Sequence, residues 1–298
     1  MKPFIFHKPE TVEQAVNLLR RYGENGAVLA GGTDLLVEMK RNLRNPAHVV
    51  DIKGIRKLGE ITTNADRSLL IGAIVTLQSL SNSPSLKMGW NLLAQAASRV
   101  GSVQVRNRAT LGGNICHASP SGDTLPALLC LDARMKLIGP QGEREIPAEE
   151  FFLGPGQVAL GSTEFLAGII LPGISPGLRG VYKKYSLRRM MDLALVGVAV
   201  LGELDPTGNT FRDIRIGLGA VAPTPIRAKK AERAFIGNKM TVKRLEEISR
   251  LAVDEASPIS DIRGADWYRK EMLLHITREA VGEVWRNGTP DFSGSLER

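Results

Sequence analysis

Two short glycine-rich stretches constrain this chain more than any other feature: Ala30-Gly31-Gly32-Thr33-Asp34-Leu35 and Thr110-Leu111-Gly112-Gly113-Asn114. Glycine reaches positive φ without a Cβ penalty and lets an anion come close to the backbone. Successive N–H groups in such a turn form an anion-binding concavity, reinforced where a helix begins. One pair of glycines more often makes only a turn. Two pairs, each with a small hydroxyl or amide residue attached, point to one long diphosphate ligand held from two sides.

The residues around them read as alternating helix and strand. Thr11-Val12-Glu13-Gln14 fits a capping box in which Gln14 reaches back to the cap. Val12, Ala15, Val16 and Leu19 follow at helical spacing, and Gly23 stops the helix. Val28-Leu29-Ala30 reads as a strand running into the first glycine pair, with a helical turn from Leu35 to Lys40 behind it and Thr33 as its N-cap. Val49 to Ile52 and Leu69 to Ala73 are further strands. Asn91 to Val100 is a helix burying Leu92, Leu93, Ala96 and Ala97, and Thr124 to Leu131 a short apolar helix with proline in its first turn. Arg134 to Gly139 and Glu164 to Leu171 are strands, and Pro172 to Gly177 is the best linker. Beyond it lie strands at Val181–Tyr185, Leu193–Leu201 and Ile214–Val221. Helices follow at Ala228–Ile236, Val242–Ala256 and Ala265–Trp285, an α+β order.

Composition narrows the class. At 298 residues, two or three domains are expected. The net charge of +8 is scattered, and no helix-turn-helix, finger or RNA-binding signature accompanies it, so nucleic acid is not an expected partner. Cys116 and Cys130 are the only cysteines, too few for a disulfide framework or an iron–sulfur cluster in this chain. The N-terminus lacks the apolar region of a signal peptide and no run approaches a membrane span, so a cytoplasmic protein is expected.

The common chemical signatures are missing. There is no Gly-x-Gly-x-x-Gly fingerprint, P-loop or His-Glu-x-x-His. No metal site is expected, and no side chain stands out as catalytic. Cys116-His117 is an adjacent pair whose members would face opposite sides of a strand, and Cys116 reads better as a small buried hydrophobe than as a reactive thiol. Asp123, in the turn before a helix, fits two readings equally: a carboxylate for sugar hydroxyls, or a helix cap. Lys184 and the Arg188-Arg189 pair fit either contacts to phosphate or a carbonyl, or a solvated basic edge.

The stretches Ala30 to Leu36 and Thr110 to Ile115 resemble the two flavin-pyrophosphate loops of the FAD-binding medium subunit of molybdenum hydroxylases, the xanthine dehydrogenase and carbon monoxide dehydrogenase flavoprotein family. The resemblance continues through Ala118-Ser119-Pro120-Ser121-Gly122-Asp123, through Lys184 to Ala194, and into the late Asp266-Trp267-Tyr268-Arg269. It implies an α+β chain: a two-subdomain FAD-binding fold of the vanillyl-alcohol-oxidase/MurB (PCMH) type, followed by a C-terminal α+β flavoprotein domain. The corresponding divisions are 1–56, 57–175 and 176–298.

The same resemblance implies non-covalent FAD. Its contacts would be Val28, Leu29, Ala30, Gly31, Gly32, Thr33, Asp34, Leu35, Thr110, Leu111, Gly112, Gly113, Asn114, Asp123, Leu166 and Lys184. Asp34 would repel a diphosphate, so its N–H is expected to serve while the side chain turns away or caps the helix. The [2Fe–2S] clusters and molybdopterin would sit on small and large partner subunits, in a heterotrimer or a dimer of heterotrimers. The implied function is electron transfer between those clusters and NAD, oxygen or another acceptor. A stand-alone flavin reductase of this fold and a scaffold without cofactor are the alternatives.

Overall fold

The computed structural model describes residues 1–288 except Met88 and Arg189. Three main sheets follow one another along the described residues, with a two-stranded hairpin beside the second. The first is parallel, formed by β1 (Ile5–His7), β2 (Gly26–Leu29) and β3 (His48–Asp51) in the order β1-β3-β2. The helix Val12–Tyr22 connects β1 to β2. It is capped at Thr11, whose hydroxyl accepts from the Gln14 N–H, and it stops at Gly23 with φ +49°. The Gln14 side chain reaches one residue further back than a capping box requires, accepting from the Glu10 N–H at 2.8 Å.

The second sheet is antiparallel and contains β4 (Ile61–Thr63), β5 (Leu69–Gly72), β6 (Arg134–Gly139) and β7 (Gly142–Pro147). A small hairpin of β8 (Phe152–Gly154) and β9 (Gln157–Val158) stands apart before β10 (Phe165–Leu171) completes the order β4-β5-β10-β6-β7. The long non-strand segment between β5 and β6 carries the helices Asn91–Ser98, Leu111–His117 and Thr124–Cys130. Their buried leucines and alanines form the largest core with Ile71, Ile169 and Phe151. Each fully buried leucine, isoleucine or phenylalanine among them contributes about 1.5–3 kcal/mol.

The third sheet is antiparallel: β11 (Arg179–Tyr185), β12 (Val196–Leu204), β13 (Phe211–Gly219) and β14 (Ile226–Arg227) in sequential order. One face packs on the helices Lys229–Phe235, Val242–Asp254 and Asp266–Gly288. The other lies on the helices of the second unit, and Tyr182, Ala199 and Leu201 join that core. A Cβ at Gly217 would stand 2.3 Å from the Pro126 carbonyl oxygen, so β13 rests directly on the helix Thr124–Cys130. This contact brings β11 to the end of that helix.

Three sequence expectations are corrected here. The second glycine stretch is the first turn of the helix Leu111–His117, with Thr110 as its N-cap, so Cys116 and His117 lie on a helix rather than a strand. The helix Leu35–Lys40 is preceded by Asp34, not Thr33, at the N-cap, and no side chain caps it. β12 starts at Val196, three residues later than the apolar run from Leu193 implied, because Leu193 is exposed and its N–H is taken by the Asp192 carboxylate.

Candidate functional site

The first glycine stretch leaves β2 at Leu29 and turns at Gly32, whose φ is +78°. A Cβ at Gly32 would meet the Leu29 and Leu36 side chains at 3.1 Å, so both dihedral and space favour glycine. Among the described residues, the N–H groups of Gly31, Gly32, Thr33, Asp34 and Leu35 donate to no acceptor of the chain. Such a run at a turn leading into a helix is an anion concavity. The Lys53 ammonium holds the Ala30 carbonyl at 3.1 Å and the Asp51 carboxylate at 2.6 Å, fixing the strand end. Val28 and Leu29 lie in the strand, their side chains packed into the cores beneath.

The second stretch is arranged differently. Its N–H groups are already used: Leu111 donates to Val75 O at 3.0 Å, Gly112 to Ala73 O at 2.9 Å, Gly113 to the Thr110 hydroxyl at 3.0 Å and Asn114 to Thr110 O at 3.0 Å. The expectation of two equal N–H concavities is therefore corrected. Glycine at 112 instead lets the helix sit on the turn after β5, where a Cβ would stand 2.7 Å from the Ala73 oxygen. The Asn114 side-chain amide oxygen, Oδ1, accepts from the Thr124 hydroxyl at 2.6 Å, tying this helix to the next.

The two stretches meet. Gly31 packs against the carbonyl of Arg108 and the Cα of Ala109, just ahead of Thr110. His117, at the end of the second helix, stands 4.0 Å from Asp34 and 3.6 Å from Glu38 on the first. Asp34 thus turns its side chain toward His117 and does not cap its own helix.

Asp123 and Lys184, sixty-one positions apart in sequence, form a buried pair at 2.8 Å with side chains 5% and 6% exposed. Tyr182 donates its hydroxyl to the other carboxylate oxygen at 2.8 Å, and Lys184 also donates to Arg99 O at 3.2 Å. Burial pushes the Asp123 carboxyl up from its ordinary range, opposed by the adjacent ammonium and hydroxyl. Burial, then the carboxylate, also raises the Tyr182 phenol. Neither the helix-cap reading of Asp123 nor the solvated-edge reading of Lys184 survives. Period-two alternation on β11 puts Tyr182 and Lys184 on one face, a signal by which Tyr182 was findable. Nothing in the sequence marked Lys53 or Arg108.

Leu166 is buried in the main core on β10, next to a bulge whose Ala167 carbonyl accepts from the Ala73 N–H at 3.0 Å. Arg188 is solvated, while Arg189 lies outside the described residues. The late Tyr268-Arg269 pair is a structural clamp. Arg269, 3% exposed, donates to Leu195 O, Ala220 O and Asp261, and the Tyr268 hydroxyl bonds that of Tyr185. Among the described residues there is no metal-ligand cluster, and no helix is long and apolar enough to cross a membrane.

A parallel three-stranded unit and an antiparallel unit thus meet at a glycine turn whose N–H groups find no acceptor in the chain, and comparison with known proteins gives the class, an FAD-binding flavoprotein. Residues 2–174 match the FAD binding domain in molybdopterin dehydrogenase, and residues 181–284 match the CO dehydrogenase flavoprotein C-terminal domain. The chain is 34% identical to the carbon monoxide dehydrogenase medium chain of Hydrogenophaga pseudoflava, over 95% of this chain and 97% of that one. It is 33% identical to a putative xanthine dehydrogenase FAD-binding subunit of Escherichia coli K12, over 94% and 95%. Among solved structures, carbon monoxide dehydrogenase from H. pseudoflava superposes with a TM-score of 0.91, covering 96% of this chain and 98% of that one at 34% identity. Quinoline 2-oxidoreductase from Pseudomonas putida 86 gives 0.90, covering 97% and 99% at 26% identity. The chain belongs to the FAD-binding subunit family of the molybdenum hydroxylases, a family of oxidoreductase subunits, and FAD is its cofactor.

Proposed function

We propose that this chain is the electron-transfer subunit of a multi-subunit molybdenum hydroxylase. It would take electrons from [2Fe–2S] clusters on a small partner subunit and deliver them to NAD, oxygen or another acceptor. A large molybdopterin subunit would act on the substrate, in a heterotrimer or a dimer of heterotrimers. The observation that carries the reading is the run of unused N–H groups from Gly31 to Leu35 beside a glycine at φ +78°. N–H groups that find no acceptor within the chain are available to an anion.

Bound FAD supplies one- and two-electron redox chemistry that no side chain here provides. The protein's part is binding and orientation. Gly31 to Leu35 would donate to the diphosphate, with Val28, Leu29 and Ala30 leading the backbone to it. Thr110, Leu111, Gly112, Gly113 and Asn114 would close the opposite side through small side chains and the Asn114 amide. Asp123, held in place by Tyr182 and Lys184, has a spare lone pair on each oxygen for a cofactor hydroxyl. Leu166 and Lys184 complete the proposed contacts. The division into 1–56, 57–175 and 176–298 is supported by the strand order, since the parallel sheet, the five-stranded sheet with the β8–β9 hairpin, and the four-stranded sheet follow in that sequence.

The test is isolation of the full chain under native conditions with whatever chains accompany it, followed by addition of reductant through the iron–sulfur partner. Flavin bleaching that requires the cluster-bearing chain supports the assignment. Equal bleaching rates by the flavoprotein alone, with a small reduced donor, would favour a stand-alone flavin reductase.

A further inference from the structure

The helix Leu35–Lys40 starts beside the proposed diphosphate loop with two carboxylates on one face, Asp34 and Glu38, spaced i and i+4. Both would repel a bound diphosphate. Each faces a different nitrogen of the same ring: His117 Nε2 lies 4.0 Å from Asp34 Oδ1, and His117 Nδ1 lies 3.6 Å from Glu38 Oε1. Arg44 reaches only the other Glu38 oxygen, at 3.8 Å, and the Thr33 hydroxyl donates to the other Asp34 oxygen at 3.4 Å. His117 belongs to the helix carrying Gly112 and Gly113, so these contacts cross from one glycine stretch to the other.

We infer that His117 is a positioning residue for the cofactor: its ring stands between Asp34 and Glu38 and, when protonated, offsets one of their two negative charges, which draws the two glycine stretches together around the diphosphate. The form that serves both carboxylates is the imidazolium, since only that form carries a proton on each nitrogen. A neutral ring can donate to only one of the two carboxylates. The role also explains how an acidic helix start can border a phosphate site, where a carboxylate is otherwise unfavourable. The inference rests on the reading that Gly31 to Leu35 hold the diphosphate.

The test measures FAD affinity of the full chain, stripped of flavin and titrated by quenching of flavin fluorescence. His117→Ala is expected to weaken FAD binding by roughly three- to tenfold, the range of partly exposed ion pairs acting together. Adding Asp34→Asn and Glu38→Gln to that variant is expected to restore most of the affinity, and His117→Lys to retain it. Wild-type affinity in His117→Ala, or no restoration on removing the carboxylates, overturns the role given to His117. Gly32→Val separates this from the underlying reading: if it binds FAD normally, the diphosphate lies elsewhere and the inference falls with it. A weakened Gly32→Val beside an unaffected His117→Ala overturns the histidine alone.

Discussion

Gly31 lies so close to the carbonyl of Arg108 that a Cβ on Gly31 would stand 2.1 Å from that oxygen. The contact joins the two glycine stretches through the backbone, independently of any ligand. Gly31→Ala must push the 108–110 segment away, an overpacking cost of about 1–3 kcal/mol. The expected result is a lower unfolding midpoint together with reduced flavin content. A variant that melts and binds FAD like the parent chain would show that the two segments move apart freely.

Lys184→Met leaves the Asp123 carboxylate buried with Tyr182 as its remaining side-chain donor. Removing one partner of a buried pair typically costs about 3–5 kcal/mol, because the other charge loses its compensation. Denaturant unfolding of the flavin-free chain measures this without any cofactor term. The double variant with Asp123→Asn should recover much of the loss. Equal instability of single and double variants would mean the pair contributes through packing alone.

Asp261 gives a pH dependence of definite sign. Desolvation raises its carboxyl, but the Arg263 N–H and the Arg269 and Arg263 guanidinium groups outweigh it and hold the value at about 2, below the ordinary 3.8. A carboxyl depressed in the folded state contributes stability that is fully present above its unfolded value and is lost as pH falls through the folded one. That contribution should be complete above about pH 4 and disappear toward pH 2. Asp261→Asn should flatten the acid limb in that window and cost about 2 kcal/mol at neutral pH, where the buried Arg269 loses a charged acceptor. An unchanged acid limb in the variant would remove Asp261 from the account.

Burial pushes the Cys116 thiol up to about 12, so at neutral pH it is protonated and a poor nucleophile. Cys116→Ser should leave flavin content and reduction rate unchanged, and the native chain should react slowly with a disulfide reagent until unfolded. Rapid native-state labelling at Cys116, read by mass spectrometry, would contradict this.

The longer helices and strands were legible because each carries a local signal, whereas the short strands β1, β4, β7, β8, β9 and β14 and the helix Leu111–His117 were not read. Thr11 and Gly23 bracket the helix Val12–Tyr22, and the apolar runs of β2, β3, β10 and β13 are bounded by turn residues. The family resemblance was legible because its motifs keep their order along nearly the whole chain. What the second glycine stretch does was not legible. Thr110-Leu111-Gly112-Gly113 looks like a loop by propensity, yet the Ala73 and Val75 carbonyls and the Thr110 hydroxyl accept its N–H groups and hold it as a helix start. Propensity yields to tertiary hydrogen bonding of this kind, since the helical cost of glycine is only about 1 kcal/mol.

The sequence by itself determined two places where the backbone lacks a Cβ, Gly31-Gly32 and Gly112-Gly113, because that absence and the tolerance of positive φ are properties of glycine itself. It also determined that no cluster or disulfide framework forms within the chain, since only Cys116 and Cys130 are available. The tertiary structure decided which of the two stretches keeps its N–H groups free and which charges stand beside them. Lys184 meets Asp123, and His117 meets Asp34 and Glu38, only once helices and sheets distant in sequence have packed. Coulombic and hydrogen-bonding partners depend on distances of a few ångströms in space, and spacing along the chain does not encode those distances.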